Sequence, residues 1–184
     1  MTALILENFM PKPMEDEIET VLFSPRMPWV YYPNTNTTDH DTQSGDSPQF
    51  VHGFIQDGRT ASQYATIPQA ILQRLGLTND MIIRAKANIM GRELEPITNP
   101  KHIDDAASHY VMIYYVNSAD GDTVLYKDDE ITDRISPKKG RAVIFDGHIE
   151  HASTTPVQSR YRCILNYNLQ PTIDLESLKQ FETA

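Results

Sequence analysis

Tyr110-Val111-Met112-Ile113-Tyr114-Tyr115-Val116 is an unbroken run of β-branched, aromatic and long apolar side chains, and its reading decides the fold. Such a composition predicts a buried strand. Comparable segments surround it: Met81-Ile82-Ile83-Arg84-Ala85-Lys86-Ala87-Asn88-Ile89, then Thr123-Val124-Leu125-Tyr126, Arg141-Ala142-Val143-Ile144-Phe145, and residues 162–169. Turn signals separate these short strands and no helical pattern is interleaved. That order argues for a sandwich or barrel rather than a parallel α/β sheet. We expect a mainly β (α+β) protein whose core is a double-stranded β-helix (jelly roll) with flanking N-terminal helices.

The N-terminal part carries those helices. Ala3-Leu4-Ile5-Leu6 reads as a strand, and a helix is expected from about Pro13. Met14, Ile18, Val21 and Leu22 share one helical face, and Pro13 suits a first turn. A second helix is expected with Thr66 as N-cap, Pro68 early and Gly76 just past the end. Ile67, Ile71 and Leu75 form its buried face. Residues 33–48 are polar and turn-rich, the pattern of a long surface loop. The expected organisation is one domain over residues 1–184. Residues 1–80 hold the leading strand, helices and loop, 81–170 the jelly-roll core and 171–184 a tail.

Bulk properties exclude several classes. With 184 residues, 40% hydrophobic and 22% charged, the chain is long enough to close a core and is not disordered in composition. A net charge of -9 disfavours a duplex DNA partner. The single Cys163 excludes an intramolecular disulfide and a multi-cysteine zinc site. No secretory or membrane-spanning pattern is present, so no membrane partner is expected and a cytoplasmic setting is the expectation.

Lys101-His102-Ile103-Asp104 and Ile149-Glu150-His151-Ala152 carry the chemistry. In an extended segment His102 and Asp104 point to one side. Two imidazoles and one carboxylate form the facial triad that holds iron(II) with open positions. The distal imidazole is either His151 or its neighbour His148. His109, His52 and His40 lack a partner at ligand spacing and read as ordinary histidines. Asp39-His40-Asp41 reads as a solvated charge cluster in the polar loop. Asp120-Gly121-Asp122 lacks EF-hand spacing and reads as a hairpin turn.

From residue 101 to residue 169 the chain resembles the 2-oxoglutarate- and iron(II)-dependent oxygenases, the prolyl-4-hydroxylase-like branch in particular. The resemblance rests on an ordered set: His102-Ile103-Asp104, Ile113-Tyr114-Tyr115-Val116-Asn117, Gly121-Asp122-Thr123, Pro137-Lys138-Lys139-Gly140-Arg141-Ala142-Val143-Ile144-Phe145, His151-Ala152-Ser153, and Arg162-Cys163-Ile164-Leu165-Asn166-Tyr167-Asn168. The Tyr-Tyr-Val-Asn and Asn-Tyr-Asn wording is similar to that of small hydroxylases encoded by bacteriophages, for which host cytoplasm would be the setting.

The resemblance implies His102, Asp104 and His151 as the catalytic iron ligands. It implies an arginine on the last core strand for the far carboxylate of 2-oxoglutarate. Arg160 and Arg162 are the candidates, with the wording Arg-x-x-Leu-Asn-Tyr-Asn favouring Arg162. An arginine fork suits that task because it is always charged and bidentate. Tyr115 matches a tyrosine that hydrogen-bonds the same carboxylate, and Asn88 on the preceding strand is a further co-substrate candidate. Iron(II) and 2-oxoglutarate would be required, with ascorbate as reductant. The implied reaction couples decarboxylation of 2-oxoglutarate to succinate with hydroxylation of a C–H bond on a prolyl or other peptidyl residue. The alternatives are the same chemistry on a small molecule or nucleobase, or a non-catalytic jelly-roll metal-binding or assembly module.

Overall fold

The computed structural model describes residues 3–35 and 46–182; Asp39-His40-Asp41 lies outside them. In chain order the elements are β1 (Leu4–Leu6), α1 (Lys12–Leu22), β2 (Val30–Tyr32), β3 (Gln49–Gln56), β4 (Arg59–Thr60), α2 (Thr66–Arg74), β5 (Ile82–Gly91), β6 (Tyr110–Tyr115), β7 (Thr123–Lys127), β8 (Glu130–Ile135), β9 (Ala142–Asp146), β10 (His151–Ser153), β11 (Tyr161–Leu169) and α3 (Leu175–Leu178). The large sheet runs β1-β9-β6-β11-β5-β3-β2, with β4 paired to β3; the small sheet runs β10-β7-β8. Isolated bridges Thr98↔Thr154 and His102↔His151 lay the segment before β6 along the free side of β10. The result is the double-stranded β-helix expected from the sequence.

The apolar run on β6 is unbroken because both of its faces are covered. Val111, Ile113 and Tyr115 pack with Leu125, Ile135, Val143, Phe145 and Ile164 between the two sheets. Met112, Tyr114 and Val116 face the other way, into a core with Ile18 and Leu22 of α1 and Ile71 and Leu72 of α2. Each such side chain, fully buried, contributes about 1.5–3 kcal/mol. β11 shows the same division with a different outcome. Cys163, Leu165, Tyr167 and Leu169 join the helix-side core, while Arg162, Ile164 and Asn166 turn toward the interior between the sheets.

The helices form where periodicity placed them, and Pro13 sits in the first turn of α1. Thr66, expected as the N-cap of α2, is instead its first residue. The preceding residue, Ala65, already has helical φ and ψ because a turn over residues 62–65 feeds the helix. Ala65 N–H donates to Ser62 O, and Ser62 Oγ accepts from Tyr64 N–H. Gly76 follows with φ of 75°, a left-handed position that glycine occupies without steric cost.

Two further expectations need correction. The large sheet is not confined to residues 81–170, since β1, β2 and β3 belong to it. Asp120-Gly121-Asp122 is not a hairpin turn: β6 and β7 lie in different sheets, so it is the crossover between them. Asp120 accepts backbone N–H groups of Val157, Gln158 and Ser159 at 2.8–2.9 Å. Its slight burial raises the carboxyl, but those bonds hold it well below the usual range. Gly121 is pressed against the Thr154 carbonyl, where a Cβ would overlap backbone atoms. Gly121→Ala should therefore lower the melting temperature by several degrees, corresponding to about 1–3 kcal/mol of overpacking. A thermal melt at unchanged amplitude checks it. Among the described residues no helix is long and apolar enough to cross a membrane.

Candidate metal centre and its cavity

The bridge between His102 and β10 builds the site. His102 N–H donates to His151 O at 3.0 Å and His151 N–H donates to His102 O at 2.9 Å, so the two imidazoles leave a paired position side by side. Their ring centroids are 4.7 Å apart. Asp104 enters from the same segment two residues on, and the ligand atoms of all three side chains lie within 4.8 Å of one another. His102 Nε2 is 3.8 Å from Asp104 Oδ1.

Ring tautomers follow from the neighbours. Each Nδ1 lies 3.2 Å from a backbone carbonyl two residues upstream, Pro100 O for His102 and Ile149 O for His151. A carbonyl only accepts, so each Nδ1 carries the hydrogen and each Nε2 presents a lone pair. His151 Nε2 is buried and has no partner among the described residues. An orphaned buried nitrogen beside a second imidazole and a carboxylate is the donor set of a facial iron(II) site. The residues present thus fit the ion.

Asp104 is held on both oxygens. Arg84 Nη2 is 3.0 Å from Oδ1, and Asn166 Nδ2 donates to Oδ2 at 3.1 Å. Arg84 also donates to Asn168 Oδ1 at 3.1 Å. Burial pushes the Asp104 carboxyl up, but Arg84, then His151, Lys86 and His102, hold it well below the usual carboxylate range. Burial, the largest effect, pushes the His151 imidazole down to about 4, against the pull of Asp104. Because the unfolded histidine takes up its proton near 6.5, the unfolded state binds more protons between the two values. The metal-free protein should then be fully stabilised by this group above pH 6.5 and lose that contribution as pH falls toward 4. Urea midpoints measured across that window, with a His151→Gln control showing a flatter profile, check the sign.

Arg162 occupies the other end of the cavity. Its side chain is fully buried on β11, with Nε donating to Gly121 O at 2.7 Å and Nη2 to Thr123 Oγ1 at 2.8 Å. No carboxylate of the described residues pairs with it. Burying an uncompensated charge is costly, so the cavity is built for an anion at this point. Tyr115 lies behind it: the ring is 5.8 Å from the guanidinium, and the hydroxyl donates to Thr123 Oγ1 at 2.8 Å. Tyr115 therefore orients Thr123 and does not line the cavity itself. Asn88 does line it, with Nδ2 donating to Gln49 Oε1 at 2.5 Å and its own Oδ1 unpartnered.

Two candidates are not brought to the site. Arg160 is exposed in the turn before β11, because the strand begins at Tyr161 and the alternation that would align Arg160 with Arg162 has not started. His148 is exposed and pairs with Asp146 at 3.1 Å, away from the other ligands. His52 is satisfied by Pro28 O and Ser62 Oγ, and His109 is buried against Gly147. Arg84, Lys86 and Asn166 were given no role by sequence reasoning. The polar residues recurring at alternate positions from Arg84 to Asn88 were the available signal.

The fold and the site together define a double-stranded β-helix with a candidate two-histidine, one-carboxylate metal site. Solved structures with a similar fold include members of the 2-oxoglutarate–Fe(II) oxygenase family. An oxidoreductase of the 2-oxoglutarate–Fe(II) oxygenase family from Burkholderia pseudomallei is 14% identical, with a TM-score of 0.66 over 92% of this chain and 85% of that one. A prolyl hydroxylase from Trichoplax adhaerens, solved with a hypoxia inducible factor peptide fragment, is 12% identical, with a TM-score of 0.61 over 99% and 88%. A Pseudomonas putida prolyl-4-hydroxylase is 14% identical, with a TM-score of 0.55 over 92% of each chain. No protein-family model matches the sequence, and no curated protein matches it.

Proposed function

We propose that the protein is an iron(II)- and 2-oxoglutarate-dependent oxygenase that hydroxylates a C–H bond, with a prolyl or other peptidyl residue as substrate. The observation that carries this reading is the pairing of two incomplete sites in one cavity. A triad with an orphaned Nε2 calls for a cation, and a buried, uncompensated Arg162 calls for a carboxylate. Iron(II) and 2-oxoglutarate supply both. The solved prolyl hydroxylase with a bound peptide supports a peptide substrate for the same fold.

His102, Asp104 and His151 would hold the ion, which when bound supplies the oxygen activation and oxidative decarboxylation that no side chain can perform. Arg84 and Asn166 keep the Asp104 carboxylate ionised and fixed in orientation. Arg162, fixed by Gly121 O and Thr123 Oγ1, would bind and orient the far carboxylate of 2-oxoglutarate. Ile113 and Ile164 line the space between, excluding water from the reacting centre.

The test is iron(II)-dependent conversion of 2-oxoglutarate to succinate by the purified chain, followed by mass spectrometry of candidate peptides for one added oxygen, with ascorbate as reductant. Succinate formation that a chelator stops is expected. No succinate, together with no iron(II) affinity, would favour a non-catalytic module. Independently, manganese(II) as a redox-inert stand-in plus 2-oxoglutarate should raise the melting temperature; at 100 times the dissociation constant the gain is about 2.7 kcal/mol.

A further inference from the structure

We propose that the substrate is anionic and that Lys86 pairs with a carboxylate it carries, where the metal cavity opens into a groove over β3 and β5. The inference rests on the oxygenase reading above and names the substrate chemistry that reading leaves open.

β5 alternates between two environments. Ala85 and Ala87 are buried in the helix-side core, while Arg84, Lys86 and Asn88 turn toward the cavity and the groove beside it. Two of those three polar groups are already committed. Arg84 serves Asp104 and Asn168, and Asn88 donates to Gln49. Lys86 makes no hydrogen bond and no ion pair with any described residue. The carboxylate nearest in the site, Asp104, has both oxygens engaged by Arg84 and Asn166. Burial, then the neighbouring Arg84, pushes the Lys86 ammonium down from its ordinary value, against a pull from Asp104. An anion arriving there would relieve both.

The cross-strand row shows where that anion would come from. Lys86 pairs with Asn166 on β11 on one side and with Gly53 on β3 on the other. A Cβ built at Gly53 would meet nothing within 4 Å, and its φ is not positive, so the backbone does not demand glycine there. What the missing side chain provides is room beside the ammonium. That room continues as a groove walled by Val30, Tyr32, Val51 and Ile55. Lys86 lines both the groove and the metal cavity, so it stands at their junction.

The second anion is distinct from the co-substrate. Asn166, the partner of Lys86, is four positions from Arg162 on β11, about 13 Å along a strand. Ile164 intervenes on the same face. Arg162 and Lys86 therefore present two separated cations along the cavity. The Lys86 ammonium is a compact point charge that matches a single carboxylate, and the Arg84 guanidinium that also lines the groove is already engaged by Asp104 and Asn168. Two sources share the chemistry, an Asp or Glu side chain of a peptide and a free small acid.

The full chain with iron(II) and 2-oxoglutarate would be given matched proline-centred peptides flanked by Asp and Glu or by Asn and Gln. Small carboxylic acids, N-acetylaspartate and N-acetylproline, form a separate arm. Succinate formation above the substrate-free rate is the readout. Stimulation by the acidic peptides, or by the small acids, should exceed that by the amide peptides about tenfold or more. In Lys86→Met the ratio should fall toward one. Lys86→Glu should prefer peptides flanked by Lys, a charge exchange that a structural role would not produce. Gly53→Leu fills the groove and should block peptides more than small acids. Equal responses to acidic and amide probes, or an acid preference kept in Lys86→Met, overturn the proposal. So does a Lys86→Met variant whose only defect is a raised KM for 2-oxoglutarate. Absence of succinate under every condition instead defeats the oxygenase reading. Calorimetric binding of the acidic peptide to the manganese-loaded protein, lost in Lys86→Met, would then still support the anion site.

Discussion

Asp104→Ala should abolish iron(II) binding while the fold persists. Loss of an outer partner such as Asn166 is expected to cost about 10- to 100-fold in metal affinity or activity, and loss of the ligand itself should exceed that. The change removes the carboxylate that Arg84 and Asn166 both clasp, so Arg84 is left facing the cavity with Asn168 as its remaining partner. Arg84 is partly solvated, which keeps the penalty below that of a sealed charge. Calorimetric titration with iron(II) under anaerobic conditions, alongside a far-ultraviolet circular dichroism spectrum, reads both quantities. Wild-type iron affinity in the variant would remove Asp104 from the ligand set.

Arg162→Met should raise the Kd for 2-oxoglutarate by roughly 30-fold to several thousand-fold, the range of about 2–5 kcal/mol for losing one side of a buried charge pair. The same variant should not be less stable without ligand. It exchanges a buried guanidinium lacking a carboxylate partner for an apolar side chain of similar length, and the relief of that buried charge offsets the donors lost to Gly121 O and Thr123 Oγ1. Weaker binding joined to an equal or higher melting temperature separates a ligand anchor from a structural residue. Arg160→Ala, exposed before the strand begins, should leave co-substrate affinity unchanged. The reverse pattern in the two variants would transfer the anchor to Arg160.

What could be read in advance depended on where each residue's partners lie. β6, β9 and β11 announced themselves because their interiors are apolar on both sides or nearly so. β3 carries no clean pattern, since His52 and Gly53 interrupt Phe50-Val51 and Phe54-Ile55, yet Gln49 and His52 are buried with their polar atoms satisfied by Asn34 O, Pro28 O and Ser62 Oγ. β8 was missed because it is an outer strand whose side chains are mostly exposed, so no alternation marks it. The His-x-Asp pair was legible because its geometry is local. The choice between Arg160 and Arg162 was not, since it turns on the residue at which β11 starts. Arg84, Lys86 and Asn166 gained meaning only from contacts across strands distant in sequence, which no spacing rule encodes.

The fully buried thiol of Cys163 sits on the helix side of β11, one position from Arg162 and directed away from the cavity. Burial pushes its ionisation far upward, so the reactive thiolate is scarce even where reagent could arrive. β11 is a central strand hydrogen-bonded to β5 and β6, and exposing the sulfur requires breaking that pairing. A single strand thus separates the chain's one thiol from the cavity on its opposite face. Alkylation of Cys163 becomes a clock for global opening, slowed by whatever ligands bind the folded protein.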